Sequence, residues 1–233
     1  MFRAQAHSFQ QQARLAISLS WIAGYTNALT VLICDQVVSH MTGPVSRLGV
    51  ELAEGHWSTT GYLFGLICAF VSGAIASGVM TDYGRWRRLQ SIYVLPMFAQ
   101  ATVPGLFAMM IDWQAAGHLG PSSAHIGLTY LPAFAMGLQN ATITRISGGV
   151  VRTTHVTGVL TDLGLEIAKA ASRTVGIRRR LDLRRASQEH WRTLLLLSIP
   201  CSFAFGAVVG TFAFDYVQAW SMVPAVAFLG VLV

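Results

Sequence analysis

Charge is scarce in this chain. Asp, Glu, Lys and Arg make up 11% of its 233 residues, against the roughly 25% carried by a soluble domain. A chain with so little charge cannot clothe itself in a water-soluble surface, which excludes an ordinary soluble globular domain. Cysteine is also sparse. Cys34, Cys68 and Cys201 all lie in apolar stretches, at spacings that fit neither a zinc site nor a disulfide framework, so buried packing is expected of them. The motifs of chemistry are missing as well: there is no His-Glu-x-x-His, Gly-x-Ser-x-Gly, Walker loop or paired-cysteine motif. No enzymatic activity, metal or cofactor is therefore expected.

What the chain has instead is apolar length. A bilayer core of about 30 Å needs runs of about 17–25 apolar residues. Five full-length runs cover Ala13 to Cys34, Thr60 to Thr81, Ser91 to Ile111, Ile126 to Ile146 and Arg192 to Phe214, and a sixth runs from Tyr216 to Val233. The first follows a basic start yet is too long, and lacks a small-residue cleavage site, for a signal peptide. These runs predict an all-α integral membrane protein with six transmembrane helices.

The few charges have a direction. Sixteen Lys plus Arg stand against ten Asp plus Glu. Arg3 and Arg14 precede the first run, Asp82 to Arg88 reads "DYGRWRR" between the second and third, and Arg173 to Arg185 reads "RTVGIRRRLDLRR" before the fifth. Cytoplasmic loops collect positive charge, which puts both termini inside. Arg178, Arg179, Arg180, Arg184 and Arg185 suit anionic lipid headgroups. Nucleic acid is not an expected partner, because no aromatic platform or nucleic-acid motif accompanies the arginines.

One phrase is written twice. "SHMTGPVSRLGVELA" from Ser39 to Ala53 and "THVTGVLTDLGLEIA" from Thr154 to Ala168 are identical at seven of fifteen positions. Upstream, "AGYTNA" from Ala23 matches "MGLQNA" from Met136, offset by 113; the phrases are offset by 115. Downstream, "CAFVSGA" from Cys68 matches "CSFAFGA" from Cys201, and Asp82-Tyr83 matches Asp215-Tyr216, both offset by 133. The larger offset is accounted for by a basic insertion at about 173–190. The expected architecture is one membrane domain of two three-helix repeats, at about 13–112 and 126–233. Three crossings per repeat make the second enter from the opposite side, an inverted repeat.

After its first span each repeat has a short amphipathic or re-entrant helix. Arg47, Glu51 and Glu54 share one face of the first; Asp162, Glu166 and Lys169 share one face of the second. Thr42 and Thr157 are N-cap candidates, and Gly43 and Gly158 allow a bend or a close approach. Two uses are open: a helix lying flat in the interface, or a half-helix aiming free N–H groups at a polar or anionic solute. Arg47 aligns with Asp162, and two uses are open for them: to pair or alternate partners between inward-open and outward-open states, or to stand as unrelated solvated charges on opposite faces of the membrane. His40 and His155, with Glu51 and Glu166, could carry protons; each histidine could equally tie down its bend. Asn27 and Asn140 suit either helix-to-helix hydrogen bonds or a solute path. The small-residue stretches "SGAIASG" from Ser72 and "GAVVG" from Gly206 suit the interface of the two halves, with homodimerisation as a second use. Pro96, Pro132 and Pro224 suit kinks.

At "SHMTGP" from Ser39 and "GLQNATITRISGGVVRTTHVTG" from Gly137, the chain resembles the YoaK-like family of bacterial membrane proteins of unknown function. Pro44 stands where that family has Asn, and proline suits a first helical turn. The resemblance implies six spans in a bacterial cytoplasmic (inner) membrane and supplies no substrate. On the repeat alone, the expected function is a small secondary transporter or exporter of a polar or anionic solute, with proton coupling as an option. A membrane enzyme and a non-catalytic scaffold or lipid-interacting protein are the rivals.

Overall fold

The computed structural model describes residues 9–217, apart from 90–91, 116, 119–120, 147–153 and 175–182, together with residues 224 and 227. Among them are seven helices and no strand: α1 (Phe9–Cys34), α2 (Thr42–Ala53), α3 (Trp57–Trp86), α4 (Val94–Ala115), α5 (Pro121–Ile146), α6 (Val156–Thr174) and α7 (Leu183–Val217). Four are long and apolar enough to cross a membrane, over Ala13–Cys34, Trp57–Trp86, Val94–Ile111 and Trp191–Tyr216. The sixth expected run, and the basic residues Arg178, Arg179 and Arg180, lie outside the described residues.

α5 forms over the expected fourth run but is not one of those four. Its packing gives the reason. Leu128, Thr129, Ala133, Met136, Leu138, Gln139, Thr142 and Ile143 are all buried, so α5 meets protein on most sides. A helix enclosed by protein needs hydrogen-bond partners for its polar groups rather than lipid-like side chains. α1 is the other enclosed helix, with over half of its span window buried, whereas less than a third is buried in those of α3, α4 and α7. A central pair, α1 and α5, thus carries α7 on one side and α3 on the other.

These flanking contacts form one joint, built twice. At Gly24 of α1 a methyl group would collide with the backbone carbonyl of Phe203 in α7; at Gly206 of α7 it would collide with that of Trp21 in α1. At Gly137 of α5 the obstacle is the carbonyl of Phe70 in α3, and at Gly73 of α3 it is that of Phe134 in α5. Gly24 and Trp21 lie 113 positions before Gly137 and Phe134; Gly73 and Phe70 lie 133 before Gly206 and Phe203. The repeat of sequence is therefore a repeat of contact, and each joint takes one helix from each half. Without side chains at the crossings the backbones touch, which maximises dispersion contact where lipid offers no hydrophobic drive between helices.

Hydroxyls supplement both joints. Ser20 donates to the Ile199 carbonyl and Ser202 to the Ile17 carbonyl, each at 2.8 Å, between α1 and α7. Between α5 and α3, Tyr130 donates to the Tyr62 carbonyl and Ser77 bonds Thr142, again at 2.8 Å.

Two expectations are corrected here. Cys68 and Cys201 are exposed; only Cys34 is buried. Both sit on the outer sides of α3 and α7, where a small apolar side chain faces outward at no cost if the surroundings are lipid. The helices after the phrases start at Thr42 and Val156, so the Thr42 and Thr157 hydroxyls lie inside the first turn instead of capping it. Met41 holds the N-cap of α2 without a side-chain bond.

Alanine at Gly24, Gly73, Gly137 or Gly206 is expected to cost about 1–3 kcal/mol, the usual range for overpacking. Alanine at Gly49 or Gly164, where space is open, is expected to be neutral or stabilising. Thermal unfolding of the purified variants in detergent checks this, and equal effects at all six sites would contradict the joints.

Candidate functional site

The phrases occupy the crossovers between the two helix groups. The first leads from α1 to α2, which packs on α3; the second leads from α5 to α6, which packs on α7. Each phrase thus carries the chain from a helix of one joined pair, α1–α7 or α3–α5, to a helix of the other.

Each crossover is fastened by the asparagine of its preceding helix. The Asn27 Oδ1 accepts from the backbone N–H groups of Val38 and Ser39, both at 3.1 Å. The Asn140 Oδ1 accepts from the Thr154 hydroxyl at 2.6 Å. Ser39 and Thr154 are the aligned first residues of the two phrases. The asparagines therefore accept from donors in the crossovers, two backbone N–H groups in the first and a hydroxyl in the second.

Past the bend, the aligned glutamates fasten each short helix to the next long helix or its approach. Glu51 accepts from Arg47 Nε at 3.3 Å and pairs with His56 Nδ1 at 3.0 Å, just ahead of α3. Glu166, 6% exposed, takes Lys169 at 3.0 Å and Arg192 of α7 at 3.5 Å. Gly55, at φ 76°, closes α2 and lets His56 N–H reach the Glu51 carbonyl at 2.9 Å, a helix ending that favours glycine. Arg47 thus pairs within its own helix, with its i,i+4 neighbour Glu51. Asp162 is exposed, as are Thr42, Gly43, Arg47, His155 and Thr157.

The histidines diverge. His40 shares a hydrogen bond with Ser39 Oγ at 3.1 Å, and desolvation holds its pKa below the usual 6.5. The His155 ring instead lies against Gly158, where a methyl group would strike it; the aligned Gly43 meets only open space. Burial pushes the Glu51 carboxyl up, but hydrogen bonds from Arg47 and His56 outweigh it and leave the pKa below 4.5. Glu51, Glu54 and His56 lie close enough to hold a metal ion. Their existing mutual bonds, with the Arg47 guanidinium alongside, make them an ion-pair knot.

Buried polar side chains that the phrases do not contain link α4, α5 and α1. Gln100 of α4 donates to Gln139 of α5, which donates through Nε2 to the Leu19 carbonyl of α1 at 2.7 Å. Thr26 occupies the α1 position that aligns with Gln139, seven residues beyond Leu19 and so about 10 Å along the helix from that bond. All three are buried, at 4% (Thr26), 1% (Gln100) and 0% (Gln139) exposure. The Thr26 hydroxyl and the Gln100 Oε1 have no hydrogen-bond partner, and such orphans usually cost about 1–3 kcal/mol. Sequence reasoning missed this trio. The signal was present for two of its members, since Thr26 and Gln139 share an aligned column beside Asn27 and Asn140. A separate open cavity of about 270 Å³ lies at the end of α1, lined by Asp35, Gln36, Arg47, Thr59 and Tyr62 with Cys34 and Leu63.

The basic insertion is partly outside the described residues. Arg184 and Arg185 fall in the first turn of α7, so 183–190 extends that helix ahead of its apolar part.

A family model described as a protein of unknown function (DUF1275) matches residues 15–233. No curated protein and no solved structure matches the chain.

The crossovers should be acid-labile in two windows. A depressed histidine pKa makes the fold lose stability as pH drops below about 6.5, because the unfolded chain binds the proton first. A depressed glutamate pKa adds stability that is present above about 4.5 and lost as pH falls through the lower folded value. Melting temperature against pH is expected to flatten in the upper window for His40→Gln, and only in the lower window for Glu51→Gln.

Proposed function

Taking as premise that the chain belongs to the DUF1275 family of proteins of unknown function, we propose that it is a small secondary transporter for a small polar solute. Its architecture in this proposal is six spans in two inverted halves, at about 13–112 and 126–233, with the basic insertion at about 173–190. Both termini face the cytoplasm of a bacterium, and the likeness to the YoaK-like proteins belongs to the same proposal.

The observation that carries it is that three helices each bury a polar side chain, Thr26 of α1, Gln100 of α4 and Gln139 of α5, with two polar atoms left without partners. An unsatisfied polar group inside a membrane bundle is costly. It is expected where a solute is meant to take the missing hydrogen bonds. The trio has amides and a hydroxyl but no charge, which favours the polar over the anionic half of the expected solute range. The twin glycine joints supply two stiff pairs, α1 with α7 and α5 with α3, that can rock against each other. Asn27, His40, Asn140 and His155, with the ion pairs of Glu51 and Glu166, then act as anchors of the crossovers more than as a solute site.

A second reading, a scaffold or lipid-organising protein, draws on α2 and α6. Val45, Val50 and Leu52 on one, and Leu160, Leu165 and Ile167 on the other, are exposed, as on helices lying in an interface.

Labelling separates the two without knowledge of the solute. In a variant lacking the three native cysteines, Thr26→Cys is expected to react with a membrane-impermeant thiol reagent from either face of the membrane. Absence of reaction from both faces, in correctly inserted protein, would favour the scaffold.

A further inference from the structure

The two ends of α3 carry different equipment. Trp57 and Trp86 begin and end the helix and are 72% and 73% exposed. Twenty-nine residue steps at 1.5 Å each put them about 43 Å apart, which is the thickness of a bilayer with its headgroups, about 40–45 Å. Exposed tryptophans at that separation sit at the two interfaces. Near Trp57 stand Glu51, Glu54 and His56. Near Trp86 stand Arg85, Arg87, Arg88 and, from α5, Arg145, against the single carboxylate of Asp82.

That carboxylate is already shared: it meets Arg145 at 3.2 Å and Arg85 at 3.6 Å. Arg87 is held differently. Its guanidinium lies 5.7 Å from the Tyr83 ring centre and 5.5 Å from that of Trp86, and its Nε donates to the Tyr83 hydroxyl at 3.1 Å. The rings fix the plane of the group, while the two terminal nitrogens have no polar partner among the described residues. That is a preformed fork for two oxygens of a phosphate.

Arg88 comes next, at φ 55°, a left-handed conformation that costs a side-chain-bearing residue about 1–2 kcal/mol. There it closes the helix, with Leu89 N–H on the Gly84 carbonyl at 3.0 Å. An arginine where glycine would be easier adds a second positive charge next to Arg87 in the chain. The repeat does not demand this set: Gln218, Ala219, Trp220 and Ser221 occupy the positions 133 residues on.

We propose that Arg87 and Arg88, with Tyr83 and Trp86 as the apolar wall, bind the phosphate of an anionic phospholipid at this end of α3. The acyl chains run down the exposed flank of α3, past Val79 and Ile75, which are 63% and 61% exposed. The inference requires only that α3 crosses a bilayer, and stands apart from any transport.

The test uses the full chain in phosphatidylcholine bilayers containing a minority of phosphatidylglycerol, with brominated acyl chains on one lipid or the other. The Trp86 signal is the difference between the native protein and Trp86→Phe. Bromine on phosphatidylglycerol is expected to quench that signal severalfold more than the same mole fraction on phosphatidylcholine. The double variant Arg87→Gln, Arg88→Gln is expected to erase the preference. Should that variant fail to insert, Arg88→Gln alone is expected to halve it. Equal quenching by both lipids in the native protein would overturn the proposal, as would a preference that survives the double variant or is undiminished in Arg88→Gln. Equal quenching by the two lipids, together with inorganic phosphate binding that the double variant abolishes, would identify a free-phosphate site and refute a lipid site.

Discussion

Backbone laid directly on backbone, at four glycines, is the contact on which the remaining architecture depends. Gly24 and Gly206 bring α1 onto α7; Gly137 and Gly73 bring α5 onto α3. In water such helices would be driven together by burial of their apolar faces. Between lipid and protein that drive nearly vanishes, so close fit and interhelical hydrogen bonds must replace it. Each joint combines the two: bare glycine for fit, and a serine, threonine or tyrosine hydroxyl for the bond.

These joints make the repeated phrase necessary. Pairing the first long helix of each half with the second long helix of the other makes the chain cross over in both halves, once after α1 and once after α5. A crossover leaves backbone groups without helical partners, and a polar fastening is needed at each one. Asn27 and Asn140 meet that need at the bend, while Glu51 and Glu166 hold the short helix to its successor. Identical demands at two places select similar residues at two places. Where the surroundings differ, the details do too: His40 bonds Ser39, whereas the aligned His155 packs over Gly158.

Much of this is readable from residue order. The apolar runs predict the helices, and the matched glycines of the small-residue stretches point to close helix contacts. Which helix meets which is not readable, since pattern gives the face of a helix but not its neighbour. Hence Arg47 looks like a partner for Asp162 although Glu51 is nearer along the same helix. Cys68 and Cys201 look buried because cysteine is usually buried in soluble proteins, a habit that loses force on a surface this apolar. The trio Thr26, Gln100 and Gln139 stays hidden for a different reason: one polar residue in an apolar run looks tolerable until packing shows that two of its atoms lack partners.

The cross-pairing of the halves is the claim that everything above requires, and Ser77 with Thr142 offers a direct probe of it. Their hydroxyl oxygens are 2.8 Å apart across α3 and α5, so cysteines at both positions, in a chain stripped of Cys34, Cys68 and Cys201, have sulfurs within bonding reach. Oxidation in native membranes should join the two helices by a disulfide, seen as linked fragments after cleavage of the chain between α3 and α5. Fragments that separate without reductant, in protein that is correctly inserted, would contradict the pairing and the account built on it.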